Sequence, residues 1–175
     1  MSLNFVPEYR FDTFLGASAE FLTSIGVKAL VLDVDNTLEP YENPIPGEHI
    51  KTWLAELREA GISCAIVSNN GGERIELFNS ELRLPCFCKA RKPFSGGIKR
   101  ALEVLGAAPD EAIMMGDQIF TDVWAAHNAG IRAILVPPIR DKRDLLTRFK
   151  RLLERPVLRA YDRRHKINDR KEKRI

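Results

Sequence analysis

The sequence predicts an α/β protein in which a parallel sheet is covered by helices on both faces. Short apolar runs alternate along the chain with segments whose apolar residues recur at helical spacing, as in a doubly wound sheet. Apart from Lys28, the run at 27–32 contains no polar side chain, as expected for a strand that is buried on both sides. Two carboxylates, Asp33 and Asp35, follow this run and mark the carboxyl end of the strand.

The other elements are predicted from the same signals. A helix is expected at 18–25, before Gly26, and a second helix between the Pro-rich loop 39–47 and Gly61, because glycine commonly follows the last helical turn. The elements that follow are, in order, strand 62–67, helix 73–81, strand 85–88, a helix around 98–105, strand 112–115, a helix from the N-cap Thr121 to Gly130, and strand 132–136.

The length of 175 residues fits one domain, which we predict at 1–160, followed by a basic tail at 161–175 that is expected to be disordered. No apolar run is long enough to span a bilayer, and the first ten residues lack the apolar core of a signal peptide. The cysteines are odd in number, and the histidines show no zinc-ligand spacing with them, which favours reduced thiols. These observations predict a cytoplasmic protein, either free or peripheral at the inner face of the membrane.

Charge is distributed unevenly along the chain. Residues 140–175 hold 15 Lys and Arg and 6 Asp and Glu, which leaves 12 basic and 18 acidic residues in the remainder. The apolar residues of this segment share one helical face: Leu145, Leu146, Phe149, Leu152 and Leu153. Such a helix either packs on the sheet as the last element of the fold or lies in an anionic membrane interface. Nucleic acid is the less favoured partner, since aromatic residues for base stacking are few.

Polar clusters follow four of the predicted strands. They consist of Asp33 and Asp35, of Ser68 and Asn69, of Arg91 and Lys92, and of Asp117 and Asp122. Because parallel strands end at the same edge of a sheet, we expect these side chains to converge. One such cluster alone would fit a turn in which polar side chains bind the backbone. Four clusters on successive strands indicate a functional site.

The converging side chains include more carboxylates than cations, a combination that requires a hard divalent cation. Mg²⁺ prefers oxygen ligands and is commonly held by one or two carboxylates together with water and a substrate phosphate. A carboxylate nucleophile, a metal ion, a lysine and a second carboxylate acting as acid and base form a phosphoryl-transfer site. The sequence therefore predicts a phosphorylated substrate and Mg²⁺ as the cofactor.

These residues resemble the four motifs of the haloacid dehalogenase (HAD) superfamily. The run Asp33-Val34-Asp35-Asn36-Thr37 resembles motif I, and Ser68 at its strand end resembles motif II. Lys92 before a proline resembles motif III, and the segment from Gly116-Asp117 to Asp122 resembles the GDxxxxD form of motif IV. The resemblance implies a Rossmann-like fold, bound Mg²⁺ and an aspartyl-phosphate intermediate.

The resemblance also implies a role for each carboxylate. Asp33 would be the nucleophile and a metal ligand. Asp35 would protonate the leaving group, then activate water, and would offer its backbone carbonyl to the metal. Asp117 would ligate Mg²⁺, and Asp122 would support Lys92 or the water molecules on the metal.

Other polar residues have implied roles around the phosphoryl group. Ser68 and Asn69 would bind the phosphoryl oxygens, Lys92 would hold both these oxygens and the nucleophile, and Thr37 would support motif I. The second Asp of motif I, which dehalogenases of this superfamily lack, favours phosphate chemistry. The space between the motifs is too short for a cap domain, and uncapped relatives act on macromolecular or membrane-embedded substrates or are capped by a neighbouring subunit.

A closer resemblance extends over nearly the whole chain, to the YqeG-type class IIIA HAD phosphatases. It rests on the runs DNTL, VSNN and KARKP, on GDQ followed by TD, and on the basic C-terminal segment. This group is similar to phosphatidylglycerophosphate phosphatases, which implies a lipid phosphate as the substrate. Two alternatives stay open: a phosphatase for a soluble phosphomonoester or phosphoprotein, and a ribosome- or RNA-associated module with a basic tail. The sequence does not predict an oligomeric state.

Overall fold

The computed structural model describes residues 5–140 and 153–163. Its centre is a six-stranded sheet in the order β1-β6-β5-β2-β3-β4, and all neighbouring strands are parallel. The strands are β1 Tyr9–Arg10, β2 Ala29–Leu32, β3 Ser63–Val67, β4 Cys86–Phe87, β5 Ala112–Gly116 and β6 Arg132–Leu135. The predicted Rossmann-like parallel sheet is confirmed. The central strand β2 lies between β3 and β5 and is completely buried.

Helices cover both faces of this sheet, because successive side chains of a strand point to opposite sides. Leu30 and Leu32 belong to one apolar core, whereas Ala29 and Val31 belong to the other. The helices α1 Ala19–Ser24, α2 Glu48–Glu59 and α3 Glu73–Leu82 contribute to the first core. The second core is closed by α4 Gly96–Leu105, α5 Trp124–Ala129 and the last helix, α6, at 153–163.

The C-terminal segment was predicted to place an apolar helical face either on the sheet or on a membrane. Val157 and Leu158 of α6 pack against the second core, and Arg10 binds Asp162 at 3.2 Å, so α6 contacts the body of the protein. Leu145, Leu146, Phe149 and Leu152, and most of the predicted tail, lie outside the described residues. Within the described ranges, no helix combines the length and hydropathy that crossing a bilayer requires.

Two features differ from the sequence-based expectation. The short edge strand β1, which pairs with β6, was not predicted, because two residues carry no readable periodicity. Thr121 was predicted as an N-cap, and this was wrong: it lies inside a π-helical segment, Ile119–Val123, that leads into α5. The backbone N–H of Gln118 instead donates to the Asp122 carboxylate at 3.0 Å. The helical segment therefore begins before Thr121, and Gln118 at its start is bound to Asp122, a predicted site residue.

Gly116, the last residue of β5, allows this segment to approach the sheet closely. A β-carbon at this position would lie 2.3–2.4 Å from atoms of the Asp122 side chain. No other residue type fits here unless Asp122 moves, so the glycine and the position of Asp122 depend on each other.

We predict that Gly116→Ala lowers the free energy of unfolding by about 1–3 kcal/mol, because overpacking forces a shift of neighbouring atoms. Gly96→Ala is the matched control: its β-carbon would meet no atom within 4 Å, and alanine is the better helix former. Urea unfolding of both variants measures the difference. Equal stability of the two variants would contradict the proposed dependence on Asp122.

Candidate active site

The predicted nucleophile Asp33 extends the pairing of β2 by one residue beyond the strand. Its backbone N–H donates to the Met115 carbonyl at 2.9 Å, which fixes the side chain at the carboxyl end of the sheet. Asn36 then adopts a left-handed backbone conformation (φ +64°) and reverses the chain. The reversal brings the Thr37 hydroxyl within 3.2 Å of Asp33 Oδ2 and 3.3 Å of Asp117 Oδ1. Motif I is thus bound to motif IV through Thr37.

Lys92 lies between two buried carboxylates. Its Nζ is 2.6 Å from Asp33 Oδ1 and 2.7 Å from Asp122 Oδ1, and all three side chains are buried. Such charges are stable in an interior only when they are paired and hydrogen-bonded. The Lys92 ammonium therefore holds the motif I and motif IV carboxylates in one cluster.

The SNN segment after β3 positions both the hydroxyl of motif II and the lysine of motif III. Ser68 Oγ accepts a hydrogen bond from the Asn70 backbone N–H at 3.1 Å, which leaves the Ser68 hydrogen free to donate elsewhere. Asn69 forms two hydrogen bonds with the Lys92 backbone: Nδ2 donates to the carbonyl at 3.0 Å, and Oδ1 accepts from the N–H at 2.5 Å. Its described contacts thus position Lys92, and its binding of the phosphoryl group stays a prediction.

Three buried carboxylates from motifs I and IV form one acidic group. Asp33, Asp117 and Asp122 each offer one oxygen, and these oxygens lie within 4.8 Å of one another. Burial raises the pKa of Asp33 to about 6, although the nearby Lys92 ammonium opposes the shift. Burial also raises the pKa of Asp117 to about 8, with further repulsion from Asp122 and Asp33. One lysine therefore compensates only part of the negative charge.

Lys92 itself is strongly held in its charged form. Burial acts to lower the pKa of Lys92, but the carboxylates of Asp122 and Asp33 outweigh it and raise the pKa above its usual value. An ammonium held beside the Asp33 and Asp122 carboxylates fits a site for a dianionic phosphoryl group and a divalent cation. Buried carboxylates with raised pKa values provide the oxygen ligands that a hard cation prefers. The residues present fit a divalent metal ion.

The Asp35 carboxylate is bound by residues that follow β3 in the chain. Its carboxylate accepts hydrogen bonds from Arg74 Nε at 2.6 Å and from Asn70 Nδ2 at 2.5 Å. Sequence reasoning missed both partners. One signal was available for Arg74, since it lies in the first turn of α3, where a cation interacts unfavourably with the helix dipole unless it has a specific partner.

The buried Glu39, which the sequence did not indicate, closes the loop behind motif I. Its carboxylate accepts hydrogen bonds from the Gly47 backbone N–H at 3.1 Å and from Asn43 Nδ2 at 3.0 Å. The Asn36 N–H donates to the Glu39 carbonyl at 2.8 Å. These hydrogen bonds hold the Pro-rich loop in place next to Asp35.

A doubly wound sheet that carries a buried lysine–aspartate pair beside three clustered carboxylates is typical of hydrolases of phosphate esters. Residues 23–136 match the sequence model of haloacid dehalogenase-like hydrolases. The chain is 34% identical over 163 residues to the "Probable phosphatase YqeG" of Bacillus subtilis, which covers 93% of this chain and 95% of that protein. The chain therefore belongs to the haloacid dehalogenase-like hydrolase family, and the predicted class, a phosphatase of this family, is confirmed.

Two further proteins are similar over most of the chain. The chain is 29% identical to the glyceraldehyde 3-phosphate phosphatase of Pyrococcus furiosus, covering 72% of this chain and 55% of that protein. The 3-deoxy-D-manno-octulosonate 8-phosphate phosphatase of Moraxella catarrhalis, solved with magnesium and phosphate ions, shares the fold. Its TM-score is 0.52 at 15% identity, over 82% of this chain and 94% of that one.

We predict that the metal-free protein loses stability as the pH rises from 6 to 8. The folded state, in which the pKa of Asp117 is about 8, binds more protons in this range than the unfolded state, in which the ordinary value is 3.8. The midpoint of thermal unfolding in chelator should fall by on the order of 5 °C. Asp117→Asn should remove this slope, whereas the exposed control Asp110→Asn should keep it. An unchanged midpoint in the unsubstituted protein would contradict the assigned charge state.

Proposed function

We propose that the protein hydrolyses phosphate monoesters through a phosphorylated Asp33. The observation that carries the proposal is the position of Lys92, whose ammonium contacts Asp33 and Asp122 inside the acidic group. This arrangement leaves a buried carboxylate nucleophile next to a fixed cation, where a phosphoryl group would be neutralised as it is attacked.

In the proposed first step, a carboxylate oxygen of Asp33 attacks the phosphorus, and the bond from phosphorus to the leaving oxygen breaks. Asp35 gives its proton to that oxygen, while Lys92 and the Ser68 hydroxyl bind the phosphoryl oxygens. In the second step, Asp35 takes a proton from water, and the hydroxide attacks the phosphorus. Inorganic phosphate leaves, and the Asp33 carboxylate is restored.

Mg²⁺ is the proposed cofactor. Asp33, Asp117 and the backbone carbonyl of Asp35 would hold it, and a bound Mg²⁺ neutralises charge on the phosphoryl oxygens. The three buried carboxylates and their partial compensation by Lys92 support a hard divalent ion at this place.

Asp33→Asn removes the attacking charge with little change of shape. We expect phosphate release to fall below detection while the thermal unfolding midpoint stays within a few degrees. Trapping with beryllium fluoride should label the unsubstituted protein and not the variant. Turnover by the Asn variant close to that of the unsubstituted protein would refute covalent catalysis by Asp33.

For Asp35→Asn we expect turnover to fall by about 10²–10⁴-fold, the usual contribution of general acid–base help. Both half-reactions use Asp35, so phosphoenzyme should accumulate even when the leaving group is p-nitrophenol. Rapid-quench measurement of the phosphoenzyme checks this. Unchanged hydrolysis of the phosphoenzyme would show that another group activates the water.

The leading substrate is a lipid phosphate, phosphatidylglycerophosphate. Exposed apolar side chains lie on loops that leave the same edge of the sheet as the site residues, and we call this set the apolar rim: Tyr41, Ile45, Phe94 and Ile139. Phe94, two residues after Lys92, is 72% exposed. Apolar side chains around an uncapped site are typical of a surface that contacts an apolar partner. Lys89, Arg91 and Arg140, which are also exposed on these loops, would suit anionic head groups.

The Pyrococcus relative is named for a substrate that carries its phosphate on the end of a three-carbon unit. Phosphatidylglycerophosphate presents a phosphate on the same kind of unit, at the polar end of a lipid. A soluble triose phosphate is therefore the second candidate substrate. The two candidates differ in whether an acyl-bearing group is attached to the three-carbon unit. The ribosome-associated alternative rests on the basic composition of the tail, and no contact among the described residues adds support for it.

We predict that Phe94→Gln lowers phosphate release from phosphatidylglycerophosphate in anionic vesicles by roughly 5- to 20-fold, since it removes apolar area from the rim. Hydrolysis of soluble glyceraldehyde 3-phosphate should stay within twofold. Val104→Gln, which replaces a 61% exposed side chain on α4, is the matched control. Equal losses on both substrates, or none on vesicles, would remove the lipid interface from the proposal.

A further inference from the structure

Arg74 holds the proposed acid–base residue from outside the four motifs. Arg74 Nε lies 2.6 Å from Asp35 Oδ1, and both side chains are largely buried, at 14% and 12% exposure. The other carboxylate oxygen accepts from Asn70 Nδ2 at 2.5 Å. With both oxygens bound, the carboxylate cannot rotate without losing a charge-assisted hydrogen bond.

The rest of the Arg74 guanidinium binds the loop that follows motif I. Nη1 donates to the Asn43 carbonyl at 2.7 Å, and Nη2 donates to the Pro40 carbonyl at 3.2 Å. The guanidinium also lies over the Tyr41 ring, 4.8 Å from its centroid. One planar group therefore joins α3, the Pro-rich loop and the Asp35 carboxylate, and each of its three nitrogens donates a hydrogen bond.

The position of Arg74 in α3 supports a specific role. It lies one residue after Glu73, the first residue of the helix, where the dipole favours an anion over a cation. The Glu39 carboxylate anchors the same loop from the other side through the Gly47 N–H and Asn43. Arg74 thus binds a loop that Glu39 already holds in place, and it links the position of this loop to that of the Asp35 carboxylate.

We infer that Arg74 is the positioning residue that sets the orientation of the Asp35 carboxylate towards the leaving group and the attacking water. The inference rests on the proposed acid–base role of Asp35. A role as a binding site for a second anionic group of the substrate is less favoured, because such a group would have to displace Asp35 or two backbone carbonyls. Lysine cannot replace arginine here, since one ammonium does not reach three acceptors in a planar array.

The first test uses kcat/KM for a poor and a good leaving group, phenyl phosphate and p-nitrophenyl phosphate. Proton donation matters most when the leaving oxygen is basic. We expect Arg74→Gln and Arg74→Lys to lower kcat/KM for phenyl phosphate by about 10- to 100-fold, within the range of general acid catalysis. The loss for p-nitrophenyl phosphate should be under fivefold. Arg58→Ala, an exposed arginine on α2, is the control and should change neither value.

The second test is a double-mutant cycle with Asp35→Asn. If Arg74 acts through Asp35, adding Arg74→Gln to Asp35→Asn should cause less than a twofold further loss. Thermal unfolding confirms that each variant is folded, and Arg74→Lys serves if the Gln variant is not. If the losses of the two single variants multiply in the double variant, or if the loss is equal for both leaving groups, the inference is overturned while the proposed function stays intact. Full activity of Asp35→Asn alone would instead overturn the acid–base role on which the inference rests.

Discussion

The buried contact of Lys92 with Asp33 and Asp122 is the interaction on which the rest of the site depends. It joins the loop after β4 to the end of β2 and to the π-helical segment that follows β5, so three separate pieces of chain meet at one ammonium. The removal of one partner from such a group is costly, because the remaining charges stay buried without compensation. The surroundings are built to keep Lys92 in place: Asn69 binds its backbone on both sides. Gly116 leaves room for Asp122.

The clustered carboxylates and Asp35 lie on two sides of the central strand. The acidic group lies towards β5, where burial raises the pKa of Asp33 and Asp117. Asp35 lies towards β3, where its carboxylate is bound by an arginine and an amide instead. Two carboxylates that are only two residues apart in the chain thus have opposite environments. Residues two apart would share one face of an extended strand, so the separation arises because β2 ends at Leu32 and the chain reverses at Asn36.

Much of the fold could be predicted from the sequence, since the strands are short apolar runs covered on both faces. The position of the site followed from the fold, because polar residues at the ends of parallel strands must meet. The contacts that orient these residues were not predictable in the same way. The hydrogen bonds of the Asn69 amide with the Lys92 backbone, for example, had no signal in the sequence. Arg74 and Glu39 act across loops whose shape has no periodic signature, and β1 is too short to produce one.

The edge strand β1 gives the two sides of the site different neighbours. It adds the N-terminal part of the described chain to the β6 edge, and its Arg10 binds Asp162 of α6, so early and late segments of the sequence meet on the acidic side. Arg10, Asp117, Pro137 and Leu158 are among the residues that line a cavity of about 710 Å³ there. The contacts of the Asp35 carboxylate come instead from the segment after β3 and from α3. Substitutions in β1 and α6 would therefore act on the surroundings of Asp117, which lines this cavity. Substitutions in α3 and the Pro-rich loop would act on the contacts of Asp35, so different parts of the chain set the surroundings of the two carboxylates.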